Sequence, residues 1–78
     1  MRPESEEFRR IRAVVAARLR QLSQARRMSQ EQLADEAGCH RTYVGMLERR
    51  QGNPSLSVLA RLAEALGVKV AALLEVER

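Results

Sequence analysis

Aromatic side chains are nearly missing: the 78 residues contain no Trp, one Tyr (Tyr43) and one Phe (Phe8). A surface that holds single-stranded nucleic acid by stacking bases needs several such rings, so that mode of binding is disfavoured. Cysteine occurs once, at Cys39, which excludes an internal disulfide. The only histidine is its neighbour His40, and the pair falls short of four zinc ligands, so no metal is expected. There is no glycine-rich phosphate loop and no nucleophile set beside a base, and the chain is read as a non-enzyme with no cofactor. No apolar run approaches the roughly 20 residues needed to cross a bilayer. Met1 to Glu7 carry three glutamates in place of the basic start and apolar middle of a secretory signal. These absences lead to the expectation of a soluble, cytoplasmic protein with no membrane partner.

What the chain does contain is aliphatic residues and arginine. Hydrophobic residues make up 45% and charged residues 31%, a balance that suits a folded helical protein better than a disordered tail. Lys and Arg total 14 against 10 Asp and Glu, for a net charge of +4, which favours a polyanionic partner. Thirteen of the basic residues are Arg and one is Lys69. The length leaves room for one small core. Residues 1–7 are read as a polar N-terminal segment and 8–78 as a single domain.

The apolar periodicity predicts five helices and no strand. Phe8, Ile11, Val15, Leu19 and Leu22 recur at steps of three or four, with Ser5 as N-cap and Glu6 and Glu7 set against the helix dipole. This helix is expected to reach Arg26 or Arg27, and Arg9, Arg10, Arg12, Arg18, Arg20, Arg26 and Arg27 on its outer face read as solvated surface. Ser29-Gln30-Glu31-Gln32 forms a capping box for a second helix, which Gly38 ends. A third helix should run from about His40 to Glu48, a fourth from Ser55 to Gly67, and a short fifth from about Val70 to Glu75. The expected core is Leu19, Leu22, Leu33, Ala37, Val44, Leu47, Leu59, Leu62 and Leu66. Gly45, in the middle of the third helix, costs about 1 kcal/mol relative to alanine, which reads equally as a close approach at that surface or as a surface accident.

The stretch from Ser29 to Leu47 is a capped helix, a glycine turn of about three residues and a second helix, which makes a helix-turn-helix. Such a pair presents the outer face of its second helix at a size that fits the major groove of B-DNA. The sequence resembles the lambda repressor and Cro-like (Xre-type) helix-turn-helix regulators over about residues 14–75. The matching residues are Leu19, Arg20 and Leu22, Ser29-Gln30-Glu31-Gln32-Leu33-Ala34, Gly38, Val44, Leu47-Glu48, Asn53-Pro54-Ser55-Leu56 and Leu62-Ala63-Glu64-Ala65-Leu66-Gly67-Val68. Within that group, Arg41-Thr42-Tyr43-Val44 followed by Leu47-Glu48-Arg49 looks most like the controller proteins of restriction-modification systems.

The resemblance implies a compact five-helix, all-α fold and a sequence-specific transcriptional regulator of double-stranded DNA. It places Arg41, Thr42, Gly45 and Met46 on the face that meets bases. Ser29, Gln30, His40, Tyr43, Arg49, Arg50 and Asn53 are implied at the DNA backbone. For Arg41, phosphate contact and plain solvation stand beside base readout, and for His40 exposure without function stands beside phosphate contact. Two positions depart from the family pattern. Ser23 stands where an Arg usually pairs with the acid corresponding to Glu48, which leaves Glu48 to another Arg or to water. Lys69 stands where an N-cap residue usually opens the fifth helix.

One recognition helix spans only a few base pairs, so a homodimer is expected. Val68, Val70, Leu73, Leu74 and Val76 offer more apolar surface than a short terminal helix needs to dock on its own core, and form the expected interface. RNA polymerase is a further candidate partner. An antitoxin-type regulator with a protein partner, and a helical protein-interaction module whose basic charge is incidental, are the competing functions.

Overall fold

The computed structural model describes residues 4–75. Five helices follow one another: α1 (Glu6–Ala25), α2 (Gln30–Ala37), α3 (Arg41–Glu48), α4 (Leu56–Leu66) and α5 (Val70–Leu74), with no strand among the described residues. Helix α1 packs on α3 and α5, α2 on α3 and α4, and α4 on α5. The first helix starts at Glu6, directly after the expected N-cap Ser5, with Glu6 and Glu7 in its first turn.

Each of the first four helices opens on a side chain that satisfies a free amide, a contribution of about 0.5 to 2 kcal/mol apiece. Ser5, Ser29 and Ser55 accept from Phe8, Gln32 and Val58 at 3.0 to 3.1 Å. His40 caps α3 through Nδ1, which accepts from the Thr42 amide at 3.1 Å. Lys69 at the head of α5 makes no side-chain cap, in line with the departure noted in the sequence.

These four helices also end alike. An amide beyond the end reaches back five residues, as in Met28 to Ser23, Cys39 to Ala34, Gln51 to Met46 and Val68 to Ala63, at 2.8 to 2.9 Å. The geometry needs one left-handed residue per terminus. Gly38 and Gly67 supply it for α2 and α4, whereas Arg27 (φ 56°) and Arg50 (φ 61°) supply it for α1 and α3. A left-handed non-glycine residue costs about 1 to 2 kcal/mol, more than glycine loses through its freer unfolded chain. Arg27→Gly is therefore expected to stabilise the protein by about 0.5 to 1 kcal/mol in urea melts. A lower midpoint would show that the Arg27 side chain makes a compensating contact.

The core holds Val15, Leu19, Leu33, Ala34, Ala37, Val44, Leu47, Leu59, Leu62, Ala63, Leu66 and Leu73. Of the expected core residues, only Leu22 is not fully buried, and it packs against the cluster from its edge. Ile11, expected on the inner stripe of α1, is 42% exposed.

Leu73 requires a correction. It is expected at the dimer interface, but it is fully buried in the protein's own core. The turn at Gly67 directs α5 back onto α1 and α4, so one face of the five-residue helix is used internally. Leu74 is 45% exposed, Val68 and Val70 are half-buried, and Val76 lies outside the described residues.

Arginine does unexpected work in this packing. Arg18 Nε donates to Ala72 O at 2.8 Å, Arg20 Nη2 to Glu48 O at 2.6 Å, Arg26 Nη1 to Leu66 O at 3.0 Å, and Arg61 Nη1 to Gly38 O at 3.4 Å. These carbonyls lie at or near the C-terminal ends of α5, α3, α4 and α2, where they lack intrahelical partners and the dipole favours a cation. Arg12 pairs with Glu4 at 2.8 Å, lies 4.9 Å over the Phe8 ring and reaches Gly52 O. The outer residues of α1 expected to be merely solvated thus include four that tie other segments down.

Candidate DNA interface

The capping box fixes where α2 begins: Gln32 Oε1 accepts from the Ser29 amide at 2.8 Å while Ser29 Oγ accepts from the Gln32 amide. Gly38 then turns the chain, and His40 fixes where α3 begins. Val44 and Leu47 are buried below α3, so Arg41 and Thr42 stand exposed above its first turn. Between the start of α2 and the outer face of α3 runs a groove of about 490 Å³ lined by Ser29, Gln30, Glu31, Arg41, Thr42, Gly45 and Arg49. Its arginines give it the charge that phosphates seek, and Arg41 has the donor geometry for guanine O6 and N7.

Arg41 is held in that groove. Its Nη1 lies 3.3 Å from Glu31 Oε2, with the two side chains 67% and 74% exposed. This partner was not legible from spacing, because Glu31 and Arg41 lie ten residues apart on different helices.

Gln30, expected at a phosphate, has an inward partner: its Nε2 donates to Glu48 Oε1 at 2.6 Å. Glu48 is only 8% exposed. Its expected alternatives, another arginine or water, thus give way to a neutral amide at its carboxylate, while Arg20 bonds its main-chain oxygen. Ser23, in the place where the family pattern has an Arg, is buried and donates to Arg20 O at 3.2 Å.

Gly45, expected among the outward base readers, is buried. A Cβ there would sit 3.1 Å from Arg49 Nη1 and 3.3 Å from Gln30 Oε1. The close approach suggested by its helical position is therefore internal: glycine clears space for the Gln30 side chain on its way to Glu48.

The remaining residues separate. Arg49, Arg50 and Asn53 are exposed along the end of α3 and the following loop. Met46 is half-buried near Gly52, and Tyr43 is half-buried against the core. Cys39 lines an adjoining groove with His40 and Arg41. Burial pushes its thiol pKa up, against a smaller downward pull from Arg61, so it is no activated thiolate. Among the described residues no group of three or more His, Cys, Asp or Glu is placed to hold a metal ion.

Two short helices crossing under an arginine-lined outer face define a DNA-binding regulator of the helix-turn-helix type. The chain belongs to the helix-turn-helix family HTH_3, which matches residues 18–73. It is 43% identical over 67 residues to Control protein C.SmaI of Serratia marcescens, covering 86% of this chain and 80% of that one. The fold is similar to the crystal structure of the hypothetical transcription factor NHTF from Neisseria, with a TM-score of 0.82 and 37% identity over 96% of this chain and 86% of that one. It is also similar to the restriction-modification controller protein C.AhdI from Aeromonas hydrophila, with a TM-score of 0.77 and 42% identity over 80% of this chain and 94% of that one.

Proposed function

We propose that the chain acts as a controller of the restriction-modification type, binding a two-half-site DNA operator as a homodimer. The observation that carries the reading is the groove itself, with Arg41 and Thr42 exposed above the first turn of α3, and Arg49 beside them. The similarity to C.SmaI and C.AhdI supports the controller role. No helix among the described residues is long and apolar enough to cross a membrane, and a cytoplasmic location fits this role.

In this reading Arg41 and Thr42 meet base edges, with Met46 at the margin. Ser29, Gln30, His40, Tyr43, Arg49, Arg50 and Asn53 follow the DNA backbone, contributing affinity and register but no sequence preference. Arg50 keeps its left-handed backbone at a steric cost, which a phosphate contact would offset. Two copies related by a two-fold axis would set their α3 helices about 34 to 36 Å apart, one turn of DNA. The residues available for that contact are Val68, Val70 and exposed Leu74.

The test begins with selecting a duplex from random DNA and titrating it at several salt concentrations. Arg41→Ala is expected to weaken the selected duplex by about 1 to 3 kcal/mol and to relax the preference at one base pair per half-site. Equal losses on selected and random DNA would remove the base-reading role. The log of affinity should also fall linearly with the log of salt, because phosphate contacts release counterions. Binding indifferent to salt would contradict the whole assignment.

A further inference from the structure

Glu31 stands out because it is in the wrong place for a residue without a role. It lines both grooves of the proposed interface and is 74% exposed there, so bound DNA would bring phosphates toward a carboxylate. A lone negative charge in that position only opposes binding to a polyanion. Its one described partner is Arg41, at 3.3 Å through Nη1.

A guanidinium has five N–H donors arranged on a rigid fork. With Nη1 turned to Glu31, the Nη2 and Nε donors remain for a second acceptor, and a guanine edge needs two parallel donors. A free arginine on the first turn of a helix would instead sample many rotamers and meet any nearby phosphate. The carboxylate both limits those rotamers and competes with phosphate for the same cation.

We propose that Glu31 is a specificity-determining residue: it braces Arg41 so that the guanidinium presents its free edge to a base, and it lowers binding to DNA that lacks that base. The inference rests on Arg41 reading a base pair, as proposed above. Glu31 itself touches no base; it acts through Arg41, and its effect is on discrimination more than on affinity.

The experiment uses the full chain and three duplexes: the selected operator, the operator changed at the base pair that Arg41→Ala identifies, and a scrambled sequence. Glu31→Gln keeps the size of the side chain and removes its charge. Glu36→Gln, at an exposed position of the same helix outside both grooves, removes the same charge elsewhere. Glu31→Gln is expected to tighten scrambled-DNA binding and to lower discrimination at the identified base pair, each by about 2- to 5-fold, the range of an exposed ion pair. Glu36→Gln is expected to shift all three duplexes by one common factor. In an Arg41→Ala background, Glu31→Gln should no longer alter discrimination.

If Glu31→Gln also shifts the three duplexes by one common factor, or raises discrimination, the brace is refuted while Arg41 keeps its role. If Arg41→Ala leaves discrimination intact, the base-reading assignment falls first and takes the brace with it. The two failures are therefore distinguishable.

Discussion

Leu73→Glu is expected to unfold the protein, while Leu74→Glu, one residue further on, is expected to leave it folded. Leu73 is fully buried and packs within the main core, whereas Leu74 is 45% exposed. Emptying the Leu73 site forfeits about 1.5 to 3 kcal/mol of apolar burial. Placing a carboxylate there adds several kcal/mol unless the group protonates or the helix detaches. A chain of this size commands about 4 to 12 kcal/mol of stability in total, so the sum approaches or exceeds what is available. The measurement is far-UV circular dichroism against temperature. A melting midpoint within a few degrees of the parent for Leu73→Glu would mean that α5 does not dock as described.

Leu74→Glu reads out something else. At an exposed site its direct effect on the protomer should stay within about 0.5 kcal/mol. If Leu74 also faces a second copy, sedimentation at micromolar concentration should show the parent as a dimer and the variant as a monomer. The melting point of the parent should then rise with protein concentration, because association stabilises only the folded form. A parent that remains monomeric both alone and on a two-half-site duplex would refute the dimer.

The contrast between neighbouring leucines shows what was legible in the sequence and what was not. Periodicity, capping box and glycine stops located all five helices, because these signals depend on residues three or four apart. The same signals cannot decide which face of a five-residue helix turns inward. That depends on the angle at which Gly67 returns the chain, a tertiary quantity. Leu73 and Leu74 were therefore indistinguishable as a pair, and only packing against α1 and α4 separates them.

The arginines show the same limit from the polar side. Thirteen arginines and a net charge of +4 favour a polyanionic partner, yet several of the arginines are used within the protein itself. Arg12, Arg18, Arg20, Arg26 and Arg61 instead bond main-chain carbonyls, all five at separations of 23 to 54 residues where sequence gives no warning. In each case the guanidinium reaches the main chain of another segment. A small core with few aromatics gains stiffness from these links. Arg41, Arg49 and Arg50, exposed on and just after α3, are the arginines that the proposed function offers to DNA.

Gln30→Ala is expected to lower stability by about 2 kcal/mol, although residue 30 is itself exposed and stands in the groove proposed to meet DNA. The reason lies beneath it. Glu48 is 8% exposed and receives the Gln30 Nε2 hydrogen at 2.6 Å. A hydrogen bond to a charged group contributes about 1.5 to 3 kcal/mol, and removing the donor leaves a desolvated carboxylate behind. A second substitution, at Glu48, separates this from other effects of shortening the side chain, since alanine itself favours the helix. Glu48→Gln in the Gln30→Ala background should recover part of the stability, since an unpaired amide costs less to bury than an unpaired carboxylate. The same Glu48→Gln change in the parent should destabilise, because it weakens a charge-assisted bond. On DNA, Gln30→Ala should weaken all sequences alike if Gln30 only positions the backbone. Loss of discrimination would instead show that the Gln30–Glu48 contact also sets the tilt of α3 in the groove. Urea melts of the four proteins in the cycle give the coupling directly. A coupling near zero would mean that Glu48 is satisfied without Gln30, and that the clearance Gly45 provides serves some other purpose.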